Sequence, residues 1–209
     1  MSGAMELVLA TRNQKKLGEL QELVAPHGIQ VLNLGDFPDV PETVEDQETF
    51  AGNAAKKASE VALATGRWAM ADDSGLCVDA LEGAPGVYSA RFAGEPPDDA
   101  KNNKRLVEEL ASVPESRRTA YYVCSIAVAN RTGQVVLSEE ATCRGRIVLE
   151  PRGLGGFGYD PYFELLEYRQ TFGELPPVVK RHLSHRGRAL DRIRWRLLET
   201  LRGGPPSKE

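Results

Sequence analysis

The sequence lacks most of the features that would give a chain a simple chemical label. It has only three cysteines, Cys77, Cys124 and Cys143, far apart and without a Cys-x-x-Cys pair. That argues against a disulfide framework and a thiolate zinc site, and fits a reducing, cytoplasmic compartment. No apolar run approaches the ~20 residues of a membrane span, and the first residues lack the basic and apolar regions of a signal peptide. No Gly-x-Ser-x-Gly elbow, Walker-type loop, His-Glu-x-x-His or Cys-His pair occurs, so serine hydrolase, P-loop ATPase, zinc peptidase and thiol protease readings have no support. An excess of positive charge is missing too: 26 Lys and Arg face 30 Asp and Glu, for a net charge of −4. This is the wrong sign for coating a nucleic-acid polymer, although a small phosphate-bearing substrate stays open if positive groups are concentrated locally. There is no internal repeat, low-complexity tract or long linker.

What is present suits a globular α/β protein. The 209 residues, 41% of them hydrophobic, can form one compact domain or two lobes sharing a core, burying roughly 70% of the unfolded surface without staples. Met1 to Ala4 ahead of Met5 read as an expression scar, which places the native start at Met5 and the domain over residues 5–202, with a frayed tail at 203–209. Glu6 to Ala10 read as a buried strand, and Thr11 to Asn13 offer caps for a helix carrying Leu17, Leu20 and Val24. Ile29 to Leu34 read as a second strand, followed by a proline-rich acidic loop, Asp36 to Glu48. Thr49 can cap a helix with Ala54, Ala58, Val61 and Ala62 on one face and Gly66 beyond its end. Arg67 to Ala71 read as a strand ending in an Asp72-Asp73-Ser74-Gly75 turn. Asp98 to Ser112 read as a surface helix. Thr119 to Ala129 and Gln134 to Cys143 read as strands joined by the Asn130 to Gly133 turn, Arg146 to Leu149 as another strand, and Ser184 onward as the last helix. Alternating strands and helices followed by an antiparallel stretch imply a mixed sheet.

Four constellations can carry chemistry. Thr11-Arg12-Asn13-Gln14-Lys15-Lys16 is a polar turn at a helix start, where open N–H groups and the dipole favour an anion; a capped helix with solvated lysines is an equal alternative. Lysines in a first helical turn oppose the dipole, a cost that a bound phosphate would offset. Asp72 and Asp73, with Glu45 and Glu48 from the preceding loop, can supply the one or two carboxylates that magnesium takes from a protein, or simply cap a turn. Gly153 to Gly158 satisfies G-x-G-x-x-G, yet Tyr159-Asp160-Pro161 follows with no helical period, so the dinucleotide reading fails. The loop can instead display Phe157, Tyr159 and Asp160 as a base pocket, or plug an aromatic into the core. Lys180 to Arg186 gathers donors able to read a carbonyl or phosphate, or continues a solvated basic face. Metal binding by His182 and His185 is disfavoured, since no third histidine is near and magnesium-type chemistry prefers oxygen.

Taken in order, Leu9 to Lys16, Thr49-Phe50 with Asn53-Ala54, Ala71 to Leu76, Gly83 to Arg91, Gly156 to Pro161 and Ser184-His185-Arg186 resemble the non-canonical purine nucleoside triphosphate pyrophosphatases, the inosine/xanthosine triphosphatase family. The resemblance runs from about Met5 to Leu201. It implies a two-lobed α/β fold around a long mixed sheet, a homodimer, and Mg²⁺-dependent cleavage of ITP, dITP or XTP to the monophosphate and pyrophosphate. By the same resemblance Asp73 is the catalytic acid and a metal ligand, and Glu45 is the second ligand. Thr11 to Lys16 and Lys57 face the phosphates, Ser74 touches substrate, and Phe157, Gly158, Tyr159, Asp160, Lys180, His185 and Arg186 form the base pocket. The chain departs from the family at Val44, where bacterial members usually carry a Glu, at Gly52, where an acid often precedes the Asn, and at Arg12, in place of a frequent small residue. Other functions open to the sequence are a related pyrophosphatase of pyrimidine or modified nucleotides, a silent nucleotide sensor, or a scaffold using the basic last helix.

Overall fold

The computed structural model describes residues 5–203, apart from the side chain of Lys15. Residues 1–4, read as an expression scar, and all of the expected tail except Gly203 lie outside the described residues. The chain divides into two compact units: Met1–Asp73, Ser125–Glu140 and Ala189–Glu209 form the first, and Ser74–Cys124 and Ala141–Arg188 the second.

In the first unit, β1 (Met5–Leu9) lies between β2 (Ile29–Asn33) and β3 (Trp68–Val78), parallel to both. That position explains its unbroken apolar run: Leu7, Val8 and Leu9 are all buried, as in strands covered on both faces. Edge strand β2 alternates buried and exposed residues instead. Helix α1 (Gln14–Val24) starts where the Asn13 side chain accepts from Lys16 N at 3.3 Å. Helix α2 (Phe50–Thr65) is capped by Thr49, whose hydroxyl accepts from Gly52 N at 3.0 Å, and it ends at Gly66 with φ 64°. Its buried face is Asn53, Ala54, Ala58, Val61 and Ala62. The small alanines bring the helix close to Val8, Ala69 and Ala71 of the sheet.

The Asp72-Asp73-Ser74-Gly75 turn expected after Ala71 does not form, because β3 runs unbroken through all four residues to Val78. The acidic pair is therefore within a strand. Likewise Gln134–Cys143 and Arg146–Leu149 are not two strands: β5 (Val135–Ile147) is continuous and keeps its alternation throughout. Gly145 lies in it because a Cβ there would sit 2.3 Å from the Glu164 carbonyl oxygen and 2.8 Å from the Phe163 ring, a close approach rather than a break. β4 (Thr119–Ala129) has the expected bounds. The hairpin turn after it is held by Asn130, whose Oδ1 accepts from Thr132 N and Gln134 N at 3.0 and 3.1 Å.

In the second unit, α3 (Asp99–Leu110), β6 (Phe163–Leu165), β7 (Gln170–Thr171) and the short α4 (Pro177–Leu183) surround a core of Leu76, Leu106, Tyr122, Phe163 and Phe172. Helix α5 (His185–Leu201) closes the chain. The strand order is β2-β1-β3-β4-β5-β6-β7. With β5–β6 and β6–β7 antiparallel, the sheet is mixed, as expected.

Candidate active site

In the first unit the strand order reverses between β1 and β3, because β1 connects to β2 on one side and β2 returns past it to β3 on the other. Crevices at the carboxyl ends of strands flanking such a switch point are where parallel α/β sheets bind ligands. The Ala10 N–H still donates to the Met70 carbonyl at 2.8 Å, and Thr11 N then turns back onto the Leu9 carbonyl at 2.7 Å. Past this point β3 runs on beyond the end of β1, carrying Asp72 and Asp73, both buried.

Adjacent strand residues leave on opposite faces, and the partners follow. Lys16 Nζ of α1 donates to Asp72 Oδ2 at 2.8 Å, while Lys57 Nζ of α2 donates to Asp73 Oδ1 at 3.0 Å. Two lysines from two helices thus supply the counter-charges of the two adjacent acids. Lys57 Nζ also lies 2.5 Å from Glu45 Oε1, and Asn53 Nδ2 donates to Asp73 Oδ2 at 3.1 Å. Glu48, by contrast, is exposed. A pocket of about 100 Å³ opens beside these groups, lined among others by Thr11, Lys16, Glu42, Glu45, Lys57 and Asp72.

Burial pushes the Asp73 carboxyl above the usual carboxylate range; Lys57 and the Asn53 hydrogen bond only partly oppose it, and nearby Glu45 reinforces it. Burial also disfavours the charged form of Lys57, but Asp73 and Glu45 outweigh it and raise the lysine. One ammonium thus serves two carboxylates. Among the described residues no group of three or more His, Cys, Asp or Glu is gathered into a metal cage. The donor set fits an ion that takes only one or two carboxylates from protein and completes its shell with water and phosphate oxygen. The Lys57 ammonium already stands between Glu45 and Asp73, where a shared cation belongs.

The turn before α1 is built from its own side chains: Thr11 Oγ1 accepts from Asn13 N at 3.2 Å, and Asn13 caps the helix. Gln14 is exposed. Arg12 neither projects into the crevice nor points away; its guanidinium reaches the Leu34 and Val40 carbonyls at 3.3 and 3.5 Å, tethering the loop after β2. The Lys15 side chain, expected to face phosphate, lies outside the described residues. Ser74, half-buried on β3, belongs to the second unit.

Within the second unit, the glycine loop wraps a buried carboxylate. Asp160 Oδ2 accepts from Phe157 N at 2.7 Å and from Lys180 Nζ at 2.5 Å. A Cβ at Gly156, where φ is +80°, would lie 2.1 Å from that same oxygen. Burial raises Asp160, with Lys180 opposing. Phe157 is exposed, and the Lys180 ammonium lies 5.0 Å from its ring centroid. Gly158 is pinned to α3 on both sides, its N–H donating to Asp99 Oδ2 at 2.9 Å and its carbonyl accepting from Asn103 Nδ2 at 3.0 Å. The His185 ring stacks on Tyr122 at 4.6 Å with 8° between planes, and Arg186 is half-buried beside it in sequence.

Tyr159 differs from the pocket expectation. It is buried in the second core and its hydroxyl donates to the Ser89 carbonyl at 2.7 Å, so the alternative reading of an aromatic plug describes it. The basic face of α5 is also less open than its charge suggests. Arg192 donates to the Glu140 carbonyl at 2.9 Å, Arg196 pairs with Glu139 at 3.5 Å, and Arg188 donates to the Thr142 carbonyl at 3.1 Å. Residues the sequence reading passed over include Tyr122, Asp99 and Asn103, none of which leaves a local signal. Asn53 reads as part of a motif but with no role given to it, although it is the one polar residue on the buried face of α2.

A family model described as the Ham1 family matches residues 7–195. A dITP/XTP pyrophosphatase of Desulforamulus reducens is 55% identical over 186 residues, covering 89% of this chain and 92% of that protein. One of Rhodopirellula baltica is 51% identical, covering 91% of each. Among solved structures, a HAM1 protein from Coxiella burnetii superposes with a TM-score of 0.88 at 41% identity, covering 93% of this chain and 99% of that one. A nucleoside-triphosphatase, dITP/XTP pyrophosphatase, from Mycobacterium abscessus gives 0.77 at 42% identity, covering 90% and 98%.

Proposed function

The chain belongs to the Ham1 family, and from that premise and the geometry of its first unit we propose that it hydrolyses ITP, dITP and XTP to the monophosphate and pyrophosphate with Mg²⁺, cleansing the nucleotide pool. The observation that carries this reading is the Lys57 ammonium of α2 held between Glu45 of the preceding loop and Asp73 of β3, 2.5 and 3.0 Å away. Glu45 and Asp73 are the residues that would hold the metal. When bound, Mg²⁺ supplies charge neutralisation to the phosphates and lowers the proton affinity of water.

The chain's own residues do the rest. Asp73, a buried carboxylate at the crevice, is the group placed to accept a proton from the attacking water. It orients that water toward the α-phosphorus; the new P–O bond forms there, the α–β bridging bond breaks, and its electron pair leaves with pyrophosphate. Lys16, Lys57 and the N–H groups opening α1 meet the leaving charge, joined by Lys15 and by Thr11, Asn13 and Gln14 of the same turn. Asp72 holds Lys16 in place.

Base choice falls to the second unit. Hypoxanthine and xanthine present a 6-carbonyl, suited to donors from Lys180, His185 or Arg186, and Phe157 offers a ring to stack on. Adenine presents an amino group instead and leaves buried donors unpaired, at ~1–3 kcal/mol each. Asp160 contributes by fixing Lys180, Gly158 by placing Phe157, and Ser74 by touching substrate.

We further propose a single two-lobed domain over residues 5–202, since the division between the units falls inside β3, β4 and β5. A homodimer is the family expectation and is read by sedimentation. A cytoplasmic location accords with three buried cysteines and no disulfide among the described residues; no described helix is long and apolar enough to cross a membrane.

The test is a panel of ITP, XTP, GTP, ATP and dUTP with Mg²⁺ and identified products. Turnover of ITP and XTP over ATP is expected. Preference for dUTP would move the assignment to pyrimidine nucleotides, and binding without turnover would make the chain a sensor.

A further inference from the structure

Asn53 sits in the first turn of α2 and is only 1% exposed. Both ends of its amide are used. Nδ2 donates to Asp73 Oδ2 at 3.1 Å, and Oδ1 accepts from the Gln47 backbone N–H at 3.0 Å. The orientation of the amide is fixed by chemistry, since a backbone N–H can only donate and a carboxylate oxygen can only accept. One neutral side chain therefore ties β3 at Asp73 to the loop that carries Glu45, two residues before Gln47.

That loop has no regular secondary structure from Pro41 to Gln47, so its position is set by what reaches it from α2. Three residues do. Lys56 Nζ donates to the Val44 carbonyl at 3.0 Å and to Asp46 at 2.8 Å, Lys57 pairs with Glu45, and Asn53 holds Gln47. Only Asn53 and Lys57 also touch Asp73. The two differ in what a cation does to them. A divalent ion held by Glu45 and Asp73 would repel the Lys57 ammonium, and the Lys57 ties would weaken. The Asn53 amide carries no charge and its ties persist.

We propose that Asn53 is a positioning residue that holds Asp73 and the Glu45 loop in register, so that two carboxylates from distant parts of the chain converge on one cation. The proposal rests on the reading of Asp73 and Glu45 as the metal pair. No common replacement does the same work. Asp offers no donor and adds a third negative charge, Leu leaves the Gln47 N–H and the Asp73 oxygen without this partner, and Ser does not span the gap. Loss of such an outer partner typically costs ten- to a hundredfold in metal affinity or activity.

The experiment compares wild type, Asn53→Ala, Asn53→Ser and Ser59→Ala. Ser59 is the control, because its hydroxyl donates to the Gly133 carbonyl at 2.7 Å from the same helix without touching the site. Mn²⁺ binding to nucleotide-free protein is read by electron paramagnetic resonance, ITP hydrolysis at saturating Mg²⁺ by kcat and KM, and folding by thermal melts. Both Asn53 variants should bind Mn²⁺ about tenfold or more weakly and lose about ten- to a hundredfold in kcat, with KM for ITP little changed. Ser59→Ala should lower the melting temperature and leave Mn²⁺ affinity alone. Folded Asn53 variants within about twofold of wild type in Mn²⁺ affinity and kcat overturn the proposal. So does failure of both variants to fold, which would make Asn53 a residue of the core. If wild type turns over no triphosphate, the functional reading fails separately, and the Mn²⁺ measurement still decides the role of Asn53.

Discussion

Replacing Lys57 with Met removes the ammonium between Glu45 and Asp73 while keeping the length of the side chain. The Lys57 and Asp73 side chains are 12% and 9% exposed and Glu45 31%, so the Asp73 contact is the buried one and the Glu45 contact is partly screened. Breaking a buried pair from one side costs about 3–5 kcal/mol because a charge is left uncompensated. The exposure of Glu45 puts the expected loss near the lower end, about 3 kcal/mol. In a chain of this size each kcal/mol moves Tm by roughly 2–4 °C, so without metal the variant should melt roughly 6–12 °C below wild type. A cation at a hundredfold its Kd contributes about 2.7 kcal/mol, which offsets most of that loss. Because the variant has no ammonium competing for the two carboxylates, Mg²⁺ should raise its Tm by more than it raises that of wild type. Melts of both proteins in chelator and in excess Mg²⁺ measure all four values. A Lys57→Met protein as stable as wild type in chelator, or an equal Mg²⁺ shift in both, would refute the shared-cation reasoning.

Three further outcomes follow from particular contacts. Asp73→Asn keeps the shape of the carboxylate but removes its charge and basicity and turns one of its two acceptors, which take Lys57 and Asn53, into a donor; kcat should fall by orders of magnitude with an unchanged circular dichroism spectrum, and near-normal turnover would remove the assignment. Gly156→Ala drives a Cβ to within 2.1 Å of Asp160 Oδ2 at φ +80°. It should cost about 1–3 kcal/mol in denaturant unfolding and, by displacing Lys180, blur the preference of ITP over ATP; unchanged stability would contradict the loop geometry. Cys143 is fully buried and burial pushes its thiol up to about 11, so at pH 8 a thiol reagent should label it only after unfolding; rapid labelling of the native protein at Cys143 would contradict its packing.

What could be read from the sequence depended on how local its causes are. The Thr49 cap, the alanine face of α2, the Gly66 stop and the Asn130 to Gly133 turn are set by neighbours in sequence, and they stand in the structure where they were expected. Asp72 and Asp73 read as a turn because the apolar run ends at Ala71 and Ser74-Gly75 follows. They stay in β3 because Lys16 and Lys57, 56 and 16 residues away, supply the counter-charges. Gly145 read as a break because the Glu164 carbonyl it makes room for comes from another strand. Tyr159 looked like part of a pocket because nothing local reveals the Ser89 carbonyl 70 residues away that takes its hydroxyl. Each of these misreadings has a distant partner as its cause.

The central claim is hydrolysis at the α-phosphorus of a 6-oxopurine triphosphate, and isotope transfer tests it most directly. ITP is hydrolysed with Mg²⁺ in ¹⁸O-enriched water and the products are separated and weighed by mass spectrometry. The account predicts one ¹⁸O in the phosphoryl group of IMP and none in pyrophosphate. Label in pyrophosphate, or the appearance of IDP with labelled orthophosphate, would contradict it.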